Sequence, residues 1–194
     1  MKHLILLSGK KRSGKDTSCL MIKHIYLGIK QVALATPLKE IMADTFDIPS
    51  PELEAWKNDE YGVIHGVPRS DQANTRFRMQ SYREVLQRFG TNAMKRWFGV
   101  DVWSKLATEQ VYQYFKITDT VVITDWRFKS EYEYLASEMA KARVKVTTIR
   151  VERDGVDLGD GHFSEIDLDD FEFDHIITNN GTLDELKEKL KVIL

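Results

Sequence analysis

The sequence predicts an α/β fold, in which a parallel sheet carries helices on both faces. Short apolar runs alternate along the chain with segments whose apolar residues recur at helical spacing, and this alternation is typical of strand–helix–strand units. The first run, Leu4 to Leu7, is followed at once by a glycine-rich loop and by a helical pattern from Thr17 to Leu27. Ligands of such folds bind at the carboxyl ends of the strands, so we expect the functional residues there.

The remaining elements follow in the same alternating order. Apolar, β-branched runs predict further strands at 31–35, 120–124, 144–151 and 174–178. Helical spacing predicts helices from Pro37, from about Thr75 to a stop near Gly90, over 92–98 and 100–115, up to about Ala142, and over 182–194. Thr182 and Glu185 have the spacing of a capping box at the start of the last helix.

Length and composition indicate one soluble domain. A chain of 194 residues with 42% hydrophobic and 30% charged residues can bury a substantial core. The net charge of −2 argues against a dedicated nucleic-acid or anionic-membrane binder. Its single cysteine, Cys19, cannot form an internal disulfide, which favours a reducing cytoplasm. No apolar run approaches the length of a membrane span or of a signal-peptide core.

The loop after the first strand has the pattern of a phosphate-binding P-loop. Gly9, Gly14 and Lys15 form G-x-x-x-x-G-K between a predicted strand and a predicted helix, which is the context that this motif requires. Glycines allow the backbone N–H groups to face phosphate oxygens, and the helix start adds positive potential. Asp16 stands where the motif usually has Ser or Thr, and the hydroxyl comes one residue later at Thr17. The alternative is a glycine turn that binds nothing.

Two stretches of this single domain, 1–194, depart from the alternation of strands and helices. The first, 46–116, is predicted to be a mostly helical excursion that binds substrate; it includes Arg69 and many other basic residues, for which a solvated surface is the alternative. The second, 152–172, is a lid-like loop that contains His162 and Glu165. Asp125 directly follows a predicted strand, where P-loop proteins commonly coordinate Mg²⁺ or position a water.

Several ordered motifs resemble the bacteriophage-type deoxynucleoside monophosphate kinases, within the adenylate-kinase-like P-loop kinases. The resemblance covers nearly the whole chain and is carried by 9–17, Ala-Thr-Pro-Leu-Lys (35–39), Leu-Gln-Arg-Phe-Gly-Thr (86–91), Trp103, Asp-x-Arg-x-x-x-Glu (125–131), His-Phe-Ser-Glu (162–165) and 177–186. It implies a three-layer P-loop kinase sandwich. It also implies transfer of the ATP γ-phosphoryl group to a deoxynucleoside monophosphate, with ATP and Mg²⁺ as cofactors, in the cytoplasm (the host's, if the chain is phage-encoded).

The resemblance also implies roles for individual residues. ATP would be held by Lys10, Arg12, Ser13, Gly14, Lys15, Asp16 and Thr17, with Asn179, Asn180 and Gly181 at the adenine edge. The monophosphate would be bound by Lys39, Arg83, Gly90, Thr91, Trp103, Asp125, Arg127 and Glu131, with Arg69 as a further candidate. Catalysis would fall to Lys15, Asp125, Arg127 and Arg153, and the Mg²⁺ candidates are Asp16, Thr17 and Asp125.

Chemistry agrees with this assignment, although two alternatives stay open. A monophosphate has a second pKa of about 6 and is mostly dianionic near neutrality, so the reaction needs charge neutralisation and positioning rather than a general base. The first alternative is a kinase of another phosphorylated metabolite, similar to phosphomevalonate kinase. The second is a non-catalytic nucleotide-binding module or ATPase. The expected partner is a small-molecule substrate, with no nucleic acid and no membrane, and a homodimer is allowed for.

Overall fold

The computed structural model describes residues 1–46, 86, 88–156 and 166–194, without the side chains of Phe46, Thr91 and Asn92. The chain divides into two compact units. The first is discontinuous and combines Met1–Leu34 with Trp103–Leu194, whereas the second comprises Ala35–Val102. The second unit therefore begins and ends earlier in the chain than the predicted excursion, 46–116.

The first unit is built on a five-stranded parallel sheet, as predicted. Its strands are β1 (His3–Ser8), β2 (Lys30–Val32), β3 (Thr120–Ile123), β4 (Lys145–Glu152) and β5 (His175–Thr178), in the order β2-β3-β1-β4-β5. Strand β1 pairs with β3 on one side and with β4 on the other. The connection after β1 leads towards one edge and the connection after β3 towards the other, so the carboxyl ends of these neighbouring strands form the switch point where such sheets bind ligands.

Helices cover both faces because alternate residues of the central strand point in opposite directions. The helices of this unit are α1 (Lys15–Ile25), α5 (Val102–Tyr114), which begins one residue before the unit does, α6 (Lys129–Lys141) and α7 (Leu183–Ile193). Ile5 and Leu7 join a buried cluster with residues of α1 and α7. Leu4 and Leu6 join a second cluster with residues of α5 and α6. The apolar run at the start of the chain therefore supplies both cores.

The second unit contains three described helical stretches. They are α2 (Thr36–Phe46), the π-helical stretch α3 (Arg88–Lys95) and the short α4 (Arg96–Phe98). The prediction that a helix stops near Gly90 was wrong, because Gly90 lies inside α3, which continues directly into α4. Gly90 is buried against Leu38 of α2, where a Cβ would overlap with the Leu38 side chain. A glycine inside this helix therefore allows close packing rather than ending the helix.

Most other predicted elements are confirmed, with shifted ends. Helix α1 begins at Lys15 rather than at Thr17, and β2 is limited to Lys30–Val32 instead of 31–35. The capping box of α7 is confirmed: the Thr182 hydroxyl accepts from the Glu185 N–H at 3.2 Å, and the Glu185 carboxylate accepts from the Thr182 N–H at 3.0 Å. The predicted helix from Thr75 lies largely outside the described residues, as does much of the lid-like loop.

Candidate phosphate-binding and catalytic site

The glycine loop joins β1 to α1 at the carboxyl edge of the sheet, as the motif predicts. A Cβ on Gly9 would overlap with the carbonyl oxygen of Val151 and with Ser13 Oγ, so the loop passes β4 too closely for any other residue. Arg12 has a positive φ of 65°, and Gly14 one of 101°. Glycine adopts such a conformation without strain, whereas the strain at Arg12 is of a kind that is common in loops that bind ligands. A glycine is therefore required at position 9 by the close approach of β4 and at position 14 by the positive φ of the turn.

Lys15 lies across the mouth of this loop. Its Nζ donates to the carbonyl oxygens of Gly9 at 2.5 Å and of Lys10 at 2.9 Å. Asp16 is exposed and Thr17 is half-buried in the first turn of α1. Because the first N–H groups of a helix have no carbonyl partner within it, this end of α1 is suited to an anion. Ser13 Oγ, in contrast, is buried and has no hydrogen-bond partner among the described residues.

A loop at the end of β5 contacts the P-loop directly. Asn179 Nδ2 donates to the carbonyl oxygen of Ser13 at 2.9 Å. The same nitrogen occupies the place where Gly14 would carry a Cβ, so Gly14 is required both by its positive φ and by this contact. Nothing in the spacing of the sequence predicts this contact, which joins residues 166 positions apart.

An acidic turn, 166–170, contacts the P-loop from another side. Asp169 pairs with Lys10 Nζ at 2.7 Å and with an Arg150 nitrogen at 2.9 Å. Burial raises the pKa of Asp169, but the hydrogen bonds from Lys10 and Arg150 outweigh it and hold that pKa below its ordinary value. Arg150 is only 7% exposed and stacks its guanidinium against Phe173. No local signal in the sequence marks Asp169, because it lies within a run of acidic residues that is typical of an exposed surface.

The loop after β3 brings together three of the predicted site residues. The Asp125 carboxylate accepts from the Leu34 N–H at 2.7 Å, so it is held against the end of β2. Glu131 is 4% exposed, and its carboxylate accepts from the backbone N–H groups of Arg127 and Phe128, both at 3.1 Å. Glu131 thus caps the start of α6 and fixes the backbone of Arg127. Its predicted contact with the monophosphate stays a prediction.

The start of α6 is also capped from the acidic turn. Asp167 accepts from the Lys129 N–H at 2.7 Å, and Asp170 pairs with Lys129 Nζ at the same distance. The turn therefore contacts both the P-loop and the helix that follows Arg127. These contacts fix the backbone on either side of the switch point between β1 and β3.

Arg153 and Asn180 lie at the ends of the neighbouring strands β4 and β5. Arg153 directly follows β4 and is exposed. Asn180 forms two hydrogen bonds with Asp154, in the turn that follows β4. Its Oδ1 accepts from the Asp154 N–H at 2.8 Å, and its Nδ2 donates to the Asp154 carboxylate at 2.6 Å. Gly181 is exposed just before the cap of α7. The structure thus brings the P-loop, the loop after β3, Arg153 and 179–181 to one edge of the sheet.

Other predicted substrate residues lie elsewhere in the chain. Lys39 is half-buried in the first turn of α2, and Gly90 is in α3; both belong to the second unit. Arg69, Arg83, His162 and Glu165 lie outside the described residues, and the side chain of Thr91 is not described. Trp103 is 5% exposed near the start of α5, so its ring is packed. A role for these residues in acceptor binding remains a prediction.

No group of three or more His, Cys, Asp or Glu residues that could hold a metal ion occurs in the described part of the chain. Mg²⁺ bound with nucleotides often takes only one or two carboxylates, because phosphates and waters fill the other positions. Asp16 and Asp125 are compatible with that smaller requirement. Among the helices that the structure describes, none is both long and apolar enough to span a membrane.

Fold and loop together define a P-loop nucleotide-binding protein of the α/β class. A family model described as deoxynucleotide monophosphate kinase matches this chain over residues 3–67 and 57–190. The chain therefore belongs to the deoxynucleotide monophosphate kinase family, which confirms the resemblance noted in the sequence.

Curated relatives match along nearly their whole length. The deoxynucleotide monophosphate kinase of Escherichia phage RB69 is 27% identical to this chain, with 99% of each protein covered. That of Enterobacteria phage T4 is 26% identical, with 97% of each covered. Two solved structures are also similar to this chain. An APS kinase from Mycobacterium tuberculosis has 11% sequence identity and a TM-score of 0.48, with 99% of this chain and 96% of the other covered. Dephospho-CoA kinase from Campylobacter jejuni has 15% sequence identity and a TM-score of 0.47, with 100% of this chain and 96% of the other covered.

Proposed function

We propose that the chain transfers the γ-phosphoryl group of ATP to a deoxynucleoside monophosphate and releases ADP and a deoxynucleoside diphosphate. The observation that carries the proposal is the P-loop at the switch point of the sheet, in a chain that belongs to this family over most of its length. The loop, Lys15 and the start of α1 provide N–H groups and positive charge for the donor phosphates.

The acceptor phosphate needs no general base in this reaction. Near neutrality it is mostly a dianion and is already nucleophilic, so the protein must mainly neutralise charge and align the two phosphates. We assign Arg127 and Arg153 to this neutralisation, since both follow strands at the ligand edge of the sheet. Glu131 contributes by fixing the Arg127 backbone.

Mg²⁺ would be held at this edge by Asp125 and by Asp16 or Thr17, together with the phosphates of the donor. When bound, the ion would neutralise charge on the transferred group. Asp125 is already oriented by its hydrogen bond from Leu34, and Asp16 is exposed at the start of α1. We further propose that the protein acts on free nucleotides in the cytoplasm and needs neither nucleic acid nor a membrane.

A coupled assay of ADP release across ribo- and deoxynucleoside monophosphates tests the proposal. We expect ADP release that depends on a deoxynucleoside monophosphate and is absent with ATP alone. Turnover with a phosphorylated non-nucleotide metabolite, and none with any nucleoside monophosphate, would instead support the alternative kinase. ATP hydrolysis that no acceptor stimulates would support the ATPase alternative.

A further inference from the structure

The side-chain amide of Asn179 forms a hydrogen bond with the P-loop itself. Its Nδ2 donates to the Ser13 carbonyl at 2.9 Å and fills the space beside Gly14. We propose that Asn179 is a positioning residue of the P-loop, which orients the Ser13–Gly14 peptide for the donor phosphates whatever base the donor carries. This inference rests on the proposed function and replaces contact with adenine as the role of the Asn179 side chain.

Peptide geometry explains why one hydrogen bond can orient a phosphate ligand. In a trans peptide the C=O and N–H groups point in opposite directions, and the described residues contain no cis peptide bond. When Asn179 holds the Ser13 oxygen, the Gly14 N–H must therefore point away from Asn179. A donor on the carbonyl also polarises the peptide and strengthens its N–H as a donor.

Asn179 can act as a rigid support because the chain on each side of it is fixed. Its own N–H donates to the Glu152 carbonyl at 2.7 Å, which extends the β4–β5 ladder beyond the Glu152–Thr178 pair. Three residues later the capping box of Thr182 and Glu185 begins α7. Moreover, the Lys189 Nζ donates to the Thr178 carbonyl at 2.6 Å. Movement of the amide is therefore restricted from the strand and from the helix.

Gly14 shows that the two loops fit each other closely. A glycine here is needed for the positive φ of 101°, and the Asn179 amide takes the volume that a Cβ would fill. Without the amide, the Ser13–Gly14 peptide would lose both its hydrogen bond and its lateral support. Because glycine is the residue with the greatest backbone freedom, this peptide would then sample other orientations.

Leu183, the first residue of α7, provides a matched control. Its side chain is exposed, and neither the contact with the P-loop nor the capping box involves it. Leu183→Ala therefore shortens a side chain beside the same turn and leaves the Asn179–Ser13 bond in place. A general disturbance of the turn would affect both kinds of variant alike, whereas positioning of the P-loop is affected by Asn179 variants alone.

The experiment compares ligands with and without a base. Asn179→Ala and Asn179→Leu, which keeps a similar shape, adds no charge and cannot donate to the carbonyl, are titrated by calorimetry with ATP, GTP and inorganic tripolyphosphate. We expect all three ligands to weaken by a similar factor, about tenfold, in both variants. Leu183→Ala should bind all three as the wild type does. Wild-type-like melting of Asn179→Leu would show that the loss is local.

Two results would overturn the inference. A loss confined to ATP would mean that Asn179 contacts adenine, and unchanged binding of all three ligands would mean that it does not orient the loop. If Asn179→Ala fails to fold, Asn179→Leu, with its similar shape and no added charge, still decides between these results. Binding of these three ligands does not depend on the acceptor. If the proposed phosphoryl transfer were wrong, the wild-type protein would still bind ATP but would transfer no phosphoryl group to a monophosphate, and the two failures are therefore distinguishable.

Discussion

At the scale of single residues, Lys15 is the most direct test of the P-loop. We expect Lys15→Met to fold and to lose phosphoryl transfer by at least about a thousandfold, or roughly 4 kcal/mol of transition-state stabilisation. The reason is that its ammonium group lies across the loop mouth, where it contacts the Gly9 and Lys10 carbonyls. Initial rates at saturating substrates measure the effect. Lys23→Met, in the last turn of the same helix, is the control, and near-normal turnover of folded Lys15→Met would contradict the assignment.

A substitution at Trp103 tests whether its ring stacks on the base of the acceptor or only packs in the core. We expect Trp103→Phe to keep the fold and ATP affinity while weakening several deoxynucleoside monophosphates by similar factors, because stacking contributes about 1–3 kcal/mol per base and tolerates different bases. Acceptor titrations combined with thermal melting measure both properties. Trp97→Phe, at a side chain that is 77% exposed, should change neither. If Trp103→Phe lowers the melting temperature with no selective loss of acceptor binding, the ring serves only the core.

At the scale of elements, the start of α6 depends on Glu131. We expect Glu131→Ala to cost about 1–3 kcal/mol of folding free energy, since it leaves the backbone N–H groups of Arg127 and Phe128 without their buried acceptor. Turnover should fall as well, because the Arg127 backbone is no longer fixed. Urea unfolding and initial rates measure the two effects. Glu133→Ala, at an exposed position of the same helix, should be close to neutral, and equal stability of both variants would contradict the capping role.

Strand β1 carries a titratable group, His3, whose ring bonds to Thr147 Oγ1 at 2.8 Å. Burial, and then the charge of Lys145, lower its pKa. His3 therefore stabilises the fold above the unfolded-state pKa of about 6.5, and this contribution is lost as the pH falls through the lowered pKa of the folded state. Between pH 7.5 and 5.5 we expect the wild type to lose more in melting temperature than His3→Gln, which cannot become charged. Equal losses would exclude His3 as a cause.

The elements also show which patterns can be predicted and which cannot. Strand β1 and the α7 capping box follow from local spacing and are confirmed. The cap of α6 was missed because Phe128 occupies its N-cap position, so the usual Ser or Thr signal is lacking. Gly90 was misjudged as a helix stop, since its close packing against Leu38 depends on a partner that the local pattern does not specify.

At the scale of the whole molecule, parallel strands explain why the ligand edge could be predicted. Motifs that follow apolar strands must meet at one edge of a parallel sheet, and the P-loop and Asp125 do so. Contacts between distant loops, such as Asn179 with Ser13 and Asp169 with Lys10, could not be predicted. They depend on strand order and loop geometry, neither of which has a local signal in a single sequence.

Direct identification of the product tests the central claim best. ATP labelled in its γ-phosphate is incubated with the protein, Mg²⁺ and one deoxynucleoside monophosphate at a time, and the nucleotides are separated by chromatography. Our account predicts that the label appears in a deoxynucleoside diphosphate in the same amount as the ADP that is formed, and that Lys15→Met abolishes this transfer. Label recovered only as inorganic phosphate, at a rate that no monophosphate changes, would contradict it.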